Sequence, residues 1–340
     1  MLRILQVGLG PLGRQIAADL YARGLGRVVA AVDVAPELAG RPLSELVPGA
    51  DGVTVAGELA AAAAAEVDCA VVATSSDLAR CAPTLRELLA RGTAVVSTCE
   101  ELLWPALRHP ELAAELDALA RERGARLLGT GVNPGFLMDT LPALLSGACR
   151  SVRAIEAWRI QDAASRRLPF QVKIGAGLDD AAFAARVAEG RLRHVGLGES
   201  LHLLAHCAGL AIERWEESIE PVRATRDLES GVGPIPAGRA AGVRQVATGH
   251  SGGRAVARLE FVAAVGQPDP SDGVRIDGEP AIELVIRGGV HGDVATCAIV
   301  LNAIPSLLAA PPGLQTMASV PLVSHRAPGT GRAAHAAGRD

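Results

Sequence analysis

MLRILQVGLGPLGRQIAADLYARGLGRVVAAVDV, residues 1–34, is the stretch whose reading decides the fold. Leu2 to Val7 is a short apolar run of strand character that stops at glycine. Pro11 to Arg23 then carries Leu12, Ile16 and Leu20 four residues apart, the spacing of one helix face. Val28 to Val32 reads as a second strand and closes on Asp33. Between the first strand and the helix lie Gly8, Gly10 and Gly13 in the order GxGxxG, and Asp33 follows Gly13 by twenty residues. Gly8 permits a tight turn, Gly10 lets a phosphate approach the backbone, and Gly13 lets helix and strand pack closely. The first amides of the helix, at Leu12 and beyond, face an anion, and Pro11 costs little because its missing N–H would have no helical partner. A lone GxGxxG is equally a glycine-rich turn; its place between strand and helix, with Asp33 ending the next strand, makes it a dinucleotide site on a Rossmann-type unit.

Asp33 also bears on the cofactor. Its carboxylate accepts from adenosine ribose hydroxyls and repels a 2′-phosphate, and no arginine follows before Arg41. NAD is the expected cofactor, with NADP also admissible.

Working outward, the alternation continues. Val53 to Val55 reads as a third strand, Gly57 to Ala65 as a helix, and Val67 to Ala73 as a strand buried between two helical layers. Thr74, Ser75 and Ser76 end that strand on the ligand side of the sheet and are expected to line the cofactor. Leu78 to Arg91 reads as a helix, Ala94 to Ser97 as a strand, Glu111 to Arg123 as a helix and Arg126 to Leu128 as a strand. The expectation is a parallel sheet of about six strands.

The pattern then changes. Gly129 to Phe136 is a loop, Leu137 to Leu145 a helix, and Val152 to Ile160 and Phe170 to Ile174 strands. Helices follow near Asp179 to Glu189 and Glu199 to Ala208. Strands return at Trp215 to Ala224, Gly242 to His250, Arg254 to Val265, Val274 to Asp277 and Ala281 to Gly288, before a late helix over Val294 to Leu308. The fold class is therefore α/β, an N-terminal Rossmann-type parallel sheet with a second α+β domain built on a largely antiparallel sheet. The expected division is 1–135 for the dinucleotide, 136–290 for substrate and dimerisation, 291–323 packing back on the first domain, and 324–340 as a loose tail.

Composition sets the outer limits. The chain has 340 residues, 49% of them apolar and 21% charged, which suits a folded two-domain protein. A formal net charge of -4 gives no basic footprint for nucleic acid. No run reaches the roughly 18 to 20 apolar residues of a membrane span, and residues 1–10 lack a signal-peptide cleavage pattern. The six cysteines form no CxxC pair or zinc spacing, so a reduced, cytoplasmic protein without a metal is expected.

Two segments leave strands on the same edge as the glycines. Val95 and Val96 lead into Ser97, Thr98, Cys99, Glu100 and Glu101, and Leu127 and Leu128 lead into the loop at 129–136. Carboxylates at a strand end suit acid/base work, although a glutamate there equally serves to start a helix. Cys99 faces the cofactor edge, but no histidine is placed beside it by any motif to make it a nucleophile. His291, where a strand gives way to a helix, is a pocket candidate. His202 and His206 share a helix face without the glutamate of a metalloprotease motif, so ordinary packing is the simpler reading.

Several segments together resemble the native amine dehydrogenases and 2,4-diaminopentanoate dehydrogenases, distant relatives of dihydrodipicolinate reductase. They are VGLGPLG at 7–13, ATSSD at 73–77, VVSTCEELLWP at 95–105, LGTGVNPGFLMDTLP at 128–142, HVGLGES at 194–200 and ATCAIVLNAIP at 295–305. The resemblance implies NAD(P)-dependent reductive amination of a small ketone or aldehyde with ammonia, and the reverse deamination. It implies a catalytic glutamate at Glu101 or Glu100, with Glu101 preferred. Asn133 and Pro134 would stand beside the nicotinamide, Phe136 would shape the substrate pocket, and Arg159, Gln161 and Thr296 would line it. A homodimer is expected by the same analogy. A 2,4-diaminopentanoate substrate is the alternative, with Arg159 binding its carboxylate. A dihydrodipicolinate reductase-like reaction is disfavoured because Lys173 is the one lysine in the chain. A non-catalytic NAD-binding protein would bind cofactor and turn nothing over.

Overall fold

The computed structural model describes residues 1–62, 65–166 and 168–327. Its chain divides into two compact units, Met1–Gly131 with the segment from Asp293 onward, and Val132–Gly292.

The first unit grows from the opening βαβ. Strand β1 (Leu2–Val7), helix α1 (Pro11–Ala22) and strand β2 (Gly26–Val32) come from the periodicities of residues 1–34. The chain continues through β3 (Val55–Ala56), β4 (Cys69–Val72), α2 (Leu78–Ala90), β5 (Val95–Ser97), α3 (Pro110–Glu122) and β6 (Arg126–Gly129). Late in the chain, α8 (Gly292–Ala309) and β13 (Gly313–Gln315) are added to this unit. The sheet order is β13-β6-β5-β4-β1-β2-β3, with every pair parallel. Six strands come from the first 130 residues as expected, and a seventh from beyond residue 310 completes the edge.

Strand order reverses between β1 and β4, since the chain runs outward to β3 and returns to the other side. That reversal opens a crevice at the carboxyl ends of β1 and β4, where open α/β sheets bind ligands. The strands are too buried to alternate: Cys69, Ala70, Val71 and Val72 are all fully enclosed. Leu78, Leu85, Leu88 and Leu89 of α2 cover one face of the sheet.

Two expectations in this unit are corrected. The helix read at Gly57 to Ala65 is a short 3-10 turn at Leu59–Ala62, and Ala63 and Ala64 lie outside the described residues. An alanine-rich run of this length has high propensity but too few turns to sustain a helix alone. Helix α8 is also long and apolar enough, on length and composition, to cross a membrane, which the reading by apolar runs missed. Cys297, Ile299, Val300, Leu301 and Ile304 are buried, and Asn302 accepts a hydrogen bond of 2.7 Å from Arg23 of the same unit. The tail expected at 324–340 lies outside the described residues from 328 on.

The second unit contains α4 (Thr140–Ser146), β7 (Ser151–Asp162), α5 (Leu168–Lys173), α6 (Asp180–Ala188), α7 (Leu197–Cys207), β8 (Arg214–Arg223), β9 (Ala240–Ser251), β10 (Arg254–Ala264), β11 (Ser271–Glu279) and β12 (Ile282–Arg287). Its six strands run in the order β12-β11-β7-β10-β9-β8. All pairs are antiparallel except β7 with β10, which makes the sheet mixed at its centre.

One strand expected here is a helix. Phe170 to Ile174 falls mostly in α5, because short apolar runs fit either period and Pro169 favours a first helical turn. The side chain of Gln171 fixes it, donating to the carbonyls of Ala163, Ala164 and Arg166 and accepting from the Gly231 amide at 2.8 Å. A buried, fully used amide of this kind has no signature in hydrophobic spacing.

Candidate active site

The glycine turn follows β1. Gly8 has φ of 90°, and a Cβ on it would stand 2.8 Å from the carbonyl carbon of Ala73, so only glycine fits. A Cβ on Gly13 would strike the Gly8 carbonyl, so the α1 backbone lies directly against the turn. Gly10 differs: its φ of -62° is open to any residue, and nothing lies within 4 Å of the place its Cβ would take. Neither strain nor packing explains Gly10, whereas an anion seated over the start of α1 does. The residues present therefore fit a dinucleotide pyrophosphate. Pro11 occupies the first helical position, Leu12 is partly exposed in the first turn, and α1 has no side-chain cap.

Asp33 braces this turn. Its Oδ2 accepts from the Leu9 amide at 2.6 Å and its Oδ1 from the Ala35 amide at 2.9 Å. An ionised carboxylate has about four acceptor positions, so both oxygens retain capacity for ribose hydroxyls. Beyond β4, Thr74 is exposed, and Ser75 and Ser76 are half-buried. Ser75 Oγ accepts from the Asp77 amide at 3.1 Å, while the Ser76 carbonyl accepts from Cys99 Sγ at 3.3 Å.

Beyond β5, Glu100 and Glu101 open a 3-10 turn at Glu100–Leu103. Glu100 is half-buried and Glu101 is 8% exposed. Glu101 Oε2 accepts from the amide of Leu78, the first residue of α2, at 2.9 Å, and stands 3.1 Å from His109 Nε2. The helix-start reading of these glutamates thus has substance: Glu101 is held at the N-terminus of α2, where a carboxylate is favoured. That anchorage also fixes a carboxylate at the carboxyl edge of the sheet.

Cys99 is buried and hydrogen-bonds Cys81, which in turn lies 3.6 Å from Thr74 Oγ1. The bond from Cys99 lowers the Cys81 thiol to about 7, and the same pairing with burial pushes Cys99 up. Cys99 keeps its proton and is unsuited to nucleophilic attack.

In the second unit, the loop after Val132 carries a cis Asn133–Pro134 bond and a Gly135 with φ of 127°. Asp139 organises it, accepting from the Gly135 amide at 2.8 Å, the Thr140 amide at 2.6 Å and Ser200 Oγ at 2.7 Å. Burial raises the Asp139 pKa, and these donors oppose the rise. Asn133 Nδ2 lies 2.9 Å from His194 Nε2, and the His194 ring stacks on Phe261 with centroids 4.5 Å apart. Loss of solvent around the half-buried ring, aided by Lys173, Arg159 and Arg193, pushes His194 down to about 3. A neutral imidazole so placed accepts from the Asn133 amide group, which turns Asn133 Oδ1 away as a buried acceptor with no hydrogen-bond partner among the described residues. Phe136 is partly exposed on the same loop.

Arg159 sits on β7 at 2% exposure. Its Nη2 donates to the Val290 carbonyl at 2.8 Å, its Nη1 lies 3.8 Å from Asp272 Oδ2, and Gln161, with its amide oxygen turned inward, accepts from Nε at 2.9 Å. Burial lowers the Arg159 pKa and raises that of Asp272. His291 is exposed in this unit, and Thr296 is half-buried on α8 in the other. His202 Nδ1 is 2.8 Å from the Gly198 carbonyl and its ring meets Trp215 edge-on. Among the described residues no three His, Cys, Asp or Glu side chains are grouped to hold a metal.

The structure thus gathers Gly8, Gly10, Gly13, Asp33, Thr74, Ser75, Ser76, Cys99, Glu100 and Glu101 at one sheet edge of the first unit. It groups Asn133, Pro134 and Phe136 on one loop of the second, and pairs Arg159 with Gln161. Sequence reasoning missed His109, His194, Asp139 and Asp272. His194 lies within the quoted HVGLGES segment, whereas His109 precedes an ordinary helix start and carries no signal.

A doubly wound sheet with a phosphate turn and an acidic residue ending the second strand defines a dinucleotide-dependent dehydrogenase. The 2,4-diaminopentanoate dehydrogenase C-terminal domain family matches residues 136–332. The 2,4-diaminopentanoate dehydrogenase of Acetoanaerobium sticklandii is 31% identical over 262 residues, which cover 75% of this chain and 74% of that protein. An amine dehydrogenase of Streptomyces virginiae is 25% identical over 348 residues, covering 93% and 95%. The structure of an amine dehydrogenase from Mycobacterium smegmatis superposes with a TM-score of 0.82 at 27% identity, covering 96% of this chain and 97% of that one. The chain belongs to the amine dehydrogenase and 2,4-diaminopentanoate dehydrogenase family.

Proposed function

We propose that the protein is an NAD(P)-dependent amine dehydrogenase, interconverting a small primary amine with the corresponding ketone or aldehyde and ammonia. The observation that carries this reading is the buried Glu101 carboxylate, fixed two strands from the glycine turn in a chain of this family. The dinucleotide, when bound, accepts or supplies the hydride. Gly8, Gly10 and Gly13 admit its pyrophosphate at the start of α1, Asp33 takes the adenosine ribose, and Thr74, Ser75, Ser76 and Cys99 line its path. Asp33 favours NAD over NADP through repulsion of a 2′-phosphate. Asn133 and Pro134 serve the nicotinamide end.

Glu101 takes a proton from the substrate ammonium and then faces the iminium cation that hydride loss creates on the substrate carbon. The Leu78 amide donates to the carboxylate and His109 stands beside it, so Glu101 is fixed in position before it accepts the proton. Phe136, His291 and Thr296 bound the substrate in this reading, which also includes a homodimer. A simple amine is favoured over a diamino acid because Arg159, the cation suited to a substrate carboxylate, is enclosed against Asp272, Val290 and Gln161.

The test follows oxidation of NADH and NADPH with a panel of small ketones and aldehydes, with and without ammonium, and the reverse reaction with alkylamines and 2,4-diaminopentanoate. Turnover that requires ammonium, is faster with NADH and is abolished by Glu101→Gln is expected. Wild-type rates in both Glu101→Gln and Glu100→Gln refute the role of the glutamates.

A further inference from the structure

We infer that His109 is a proton relay that clears Glu101 to solvent after each turnover, an inference that rests on Glu101 being the proton acceptor proposed above. A proton taken from the substrate ammonium must leave before the next cycle. Glu101 is poorly placed to release it alone, with 10% of its side chain exposed. His109 Nε2 lies 3.1 Å from Glu101 Oε2, and 29% of the His109 side chain is exposed. The pair therefore forms a two-member path from an enclosed carboxylate to water. The Leu78 amide, which also donates to Oε2, is a main-chain N–H and does not exchange protons as an acid or base at neutral pH.

Local structure gives no competing reason for a histidine here. His109 is the residue before α3, with Pro110 in the first turn, a position that favours Ser, Thr, Asp or Asn for capping. Its side chain makes no cap hydrogen bond. Its backbone is nonetheless fixed, since its amide donates to the Pro105 carbonyl at 2.8 Å and its carbonyl accepts from the Ala113 amide at 2.9 Å. The imidazole is thus aimed at Glu101 by a pinned main chain.

In the deamination direction an ammonium N–H bond breaks and an O–H bond forms on Glu101. With the ring proton of neutral His109 on Nδ1, that O–H bond then breaks as the proton joins the free lone pair of Nε2. The imidazolium releases its Nδ1 proton to water, and exchange with solvent restores the starting tautomer. These steps move protons only; the electron pair leaves the substrate carbon as hydride. In reductive amination the imidazolium returns a proton to Glu101 by the same bonds.

The experiment uses His109→Gln in the full-length protein, because a glutamine amide still donates to Glu101 but carries no proton onward. The first cycle does not wait for an earlier proton to be cleared from Glu101, so the first equivalent of reduced cofactor is expected to form at the wild-type single-turnover rate. Steady-state deamination then falls about 10-fold or more, producing a burst, and added imidazole speeds the slow phase. NADH affinity, read by fluorescence titration, stays unchanged. Single-turnover and steady-state rates that fall together assign His109 to positioning alone and overturn the relay, as does a steady-state rate equal to wild type. Glu101→Gln at wild-type rate refutes the underlying reading of Glu101, whereas an inactive Glu101→Gln with an unaffected His109→Gln refutes the relay only.

Discussion

Substitution of Gly10 by alanine separates what the fold requires from what a ligand requires. The residue sits at the start of α1 with φ of -62° and ψ of 177°, values alanine adopts freely, and its Cβ would enter open space. Alanine is a poorer N-cap than glycine by a few tenths of a kcal/mol or more, while the loss of unfolded-chain entropy returns about 0.4–1 kcal/mol. Folding stability is therefore expected to stay within about 1 kcal/mol of wild type. The methyl group instead occupies the ground over which a pyrophosphate approaches the uncapped first turn of α1. Displacing the phosphate from even one charge-assisted backbone hydrogen bond costs about 1.5–3 kcal/mol. At 1.4 kcal/mol per tenfold, NADH binding weakens by about 10- to 150-fold. Fluorescence titration with NADH gives the affinity, and urea unfolding of the same sample gives the stability. Gly8→Ala is the contrasting control, because its Cβ meets the Ala73 carbonyl and destabilises the fold itself. Unchanged affinity in a normally stable Gly10→Ala protein would show that no dinucleotide crosses this turn.

Two further outcomes concern the second unit. His194 titrates near 3 in the folded state against about 6.5 unfolded, so below 6.5 the unfolded chain binds a proton that the folded one refuses. Its contribution is complete above pH 6.5 and is lost as pH falls towards 3, at about 1.4 kcal/mol per pH unit. The unfolding free-energy gap between wild type and His194→Gln should shrink with that slope from pH 6.5 to 4; a constant gap contradicts a neutral imidazole. Arg159→Met leaves the Asp272 carboxylate buried opposite an apolar side chain and should cost about 3–5 kcal/mol in chemical denaturation. Adding Asp272→Asn, which keeps an acceptor for the Val290 amide, should recover most of that loss. Simple additivity of the two changes would mean the pair is not coupled.

Much of the frame was legible from local pattern. The strand, glycine turn, helix and Asp33 of residues 1–34 form one continuous unit, so their order alone specified the Rossmann half. The run from β8 to β12 was legible because each strand alternates or stays apolar between turn residues. What failed was short or long-range. The segment at 170–174 was misread because five apolar-flanked residues fit either period, and the Gln171 side chain that decides the matter bonds to Gly231 sixty residues away. The seventh strand of the first sheet, at 313–315, is too short for any periodicity and exists because an edge at β6 was open to receive it. Glu101 was legible as a candidate from its place after β5, but its anchorage was not. The amide that grips it belongs to Leu78 and depends on where α2 begins.

The sequence by itself determined the dinucleotide turn, the acidic residue after the second strand, the change from parallel α/β to a second sheet, and the family segments. These are set by spacing within a few tens of residues, where backbone sterics and hydrophobic periodicity act directly. Tertiary structure alone decided that Gly10 is required by no neighbour, that His109 reaches Glu101, that His194 orients Asn133, and that Arg159 is enclosed with Asp272. Those relations depend on burial and on contacts between distant segments, and burial is what sets the protonation of a histidine or the partner of an arginine. The glycine motif thus names a carrier of hydride, and the folded chain supplies the carboxylate that its chemistry needs.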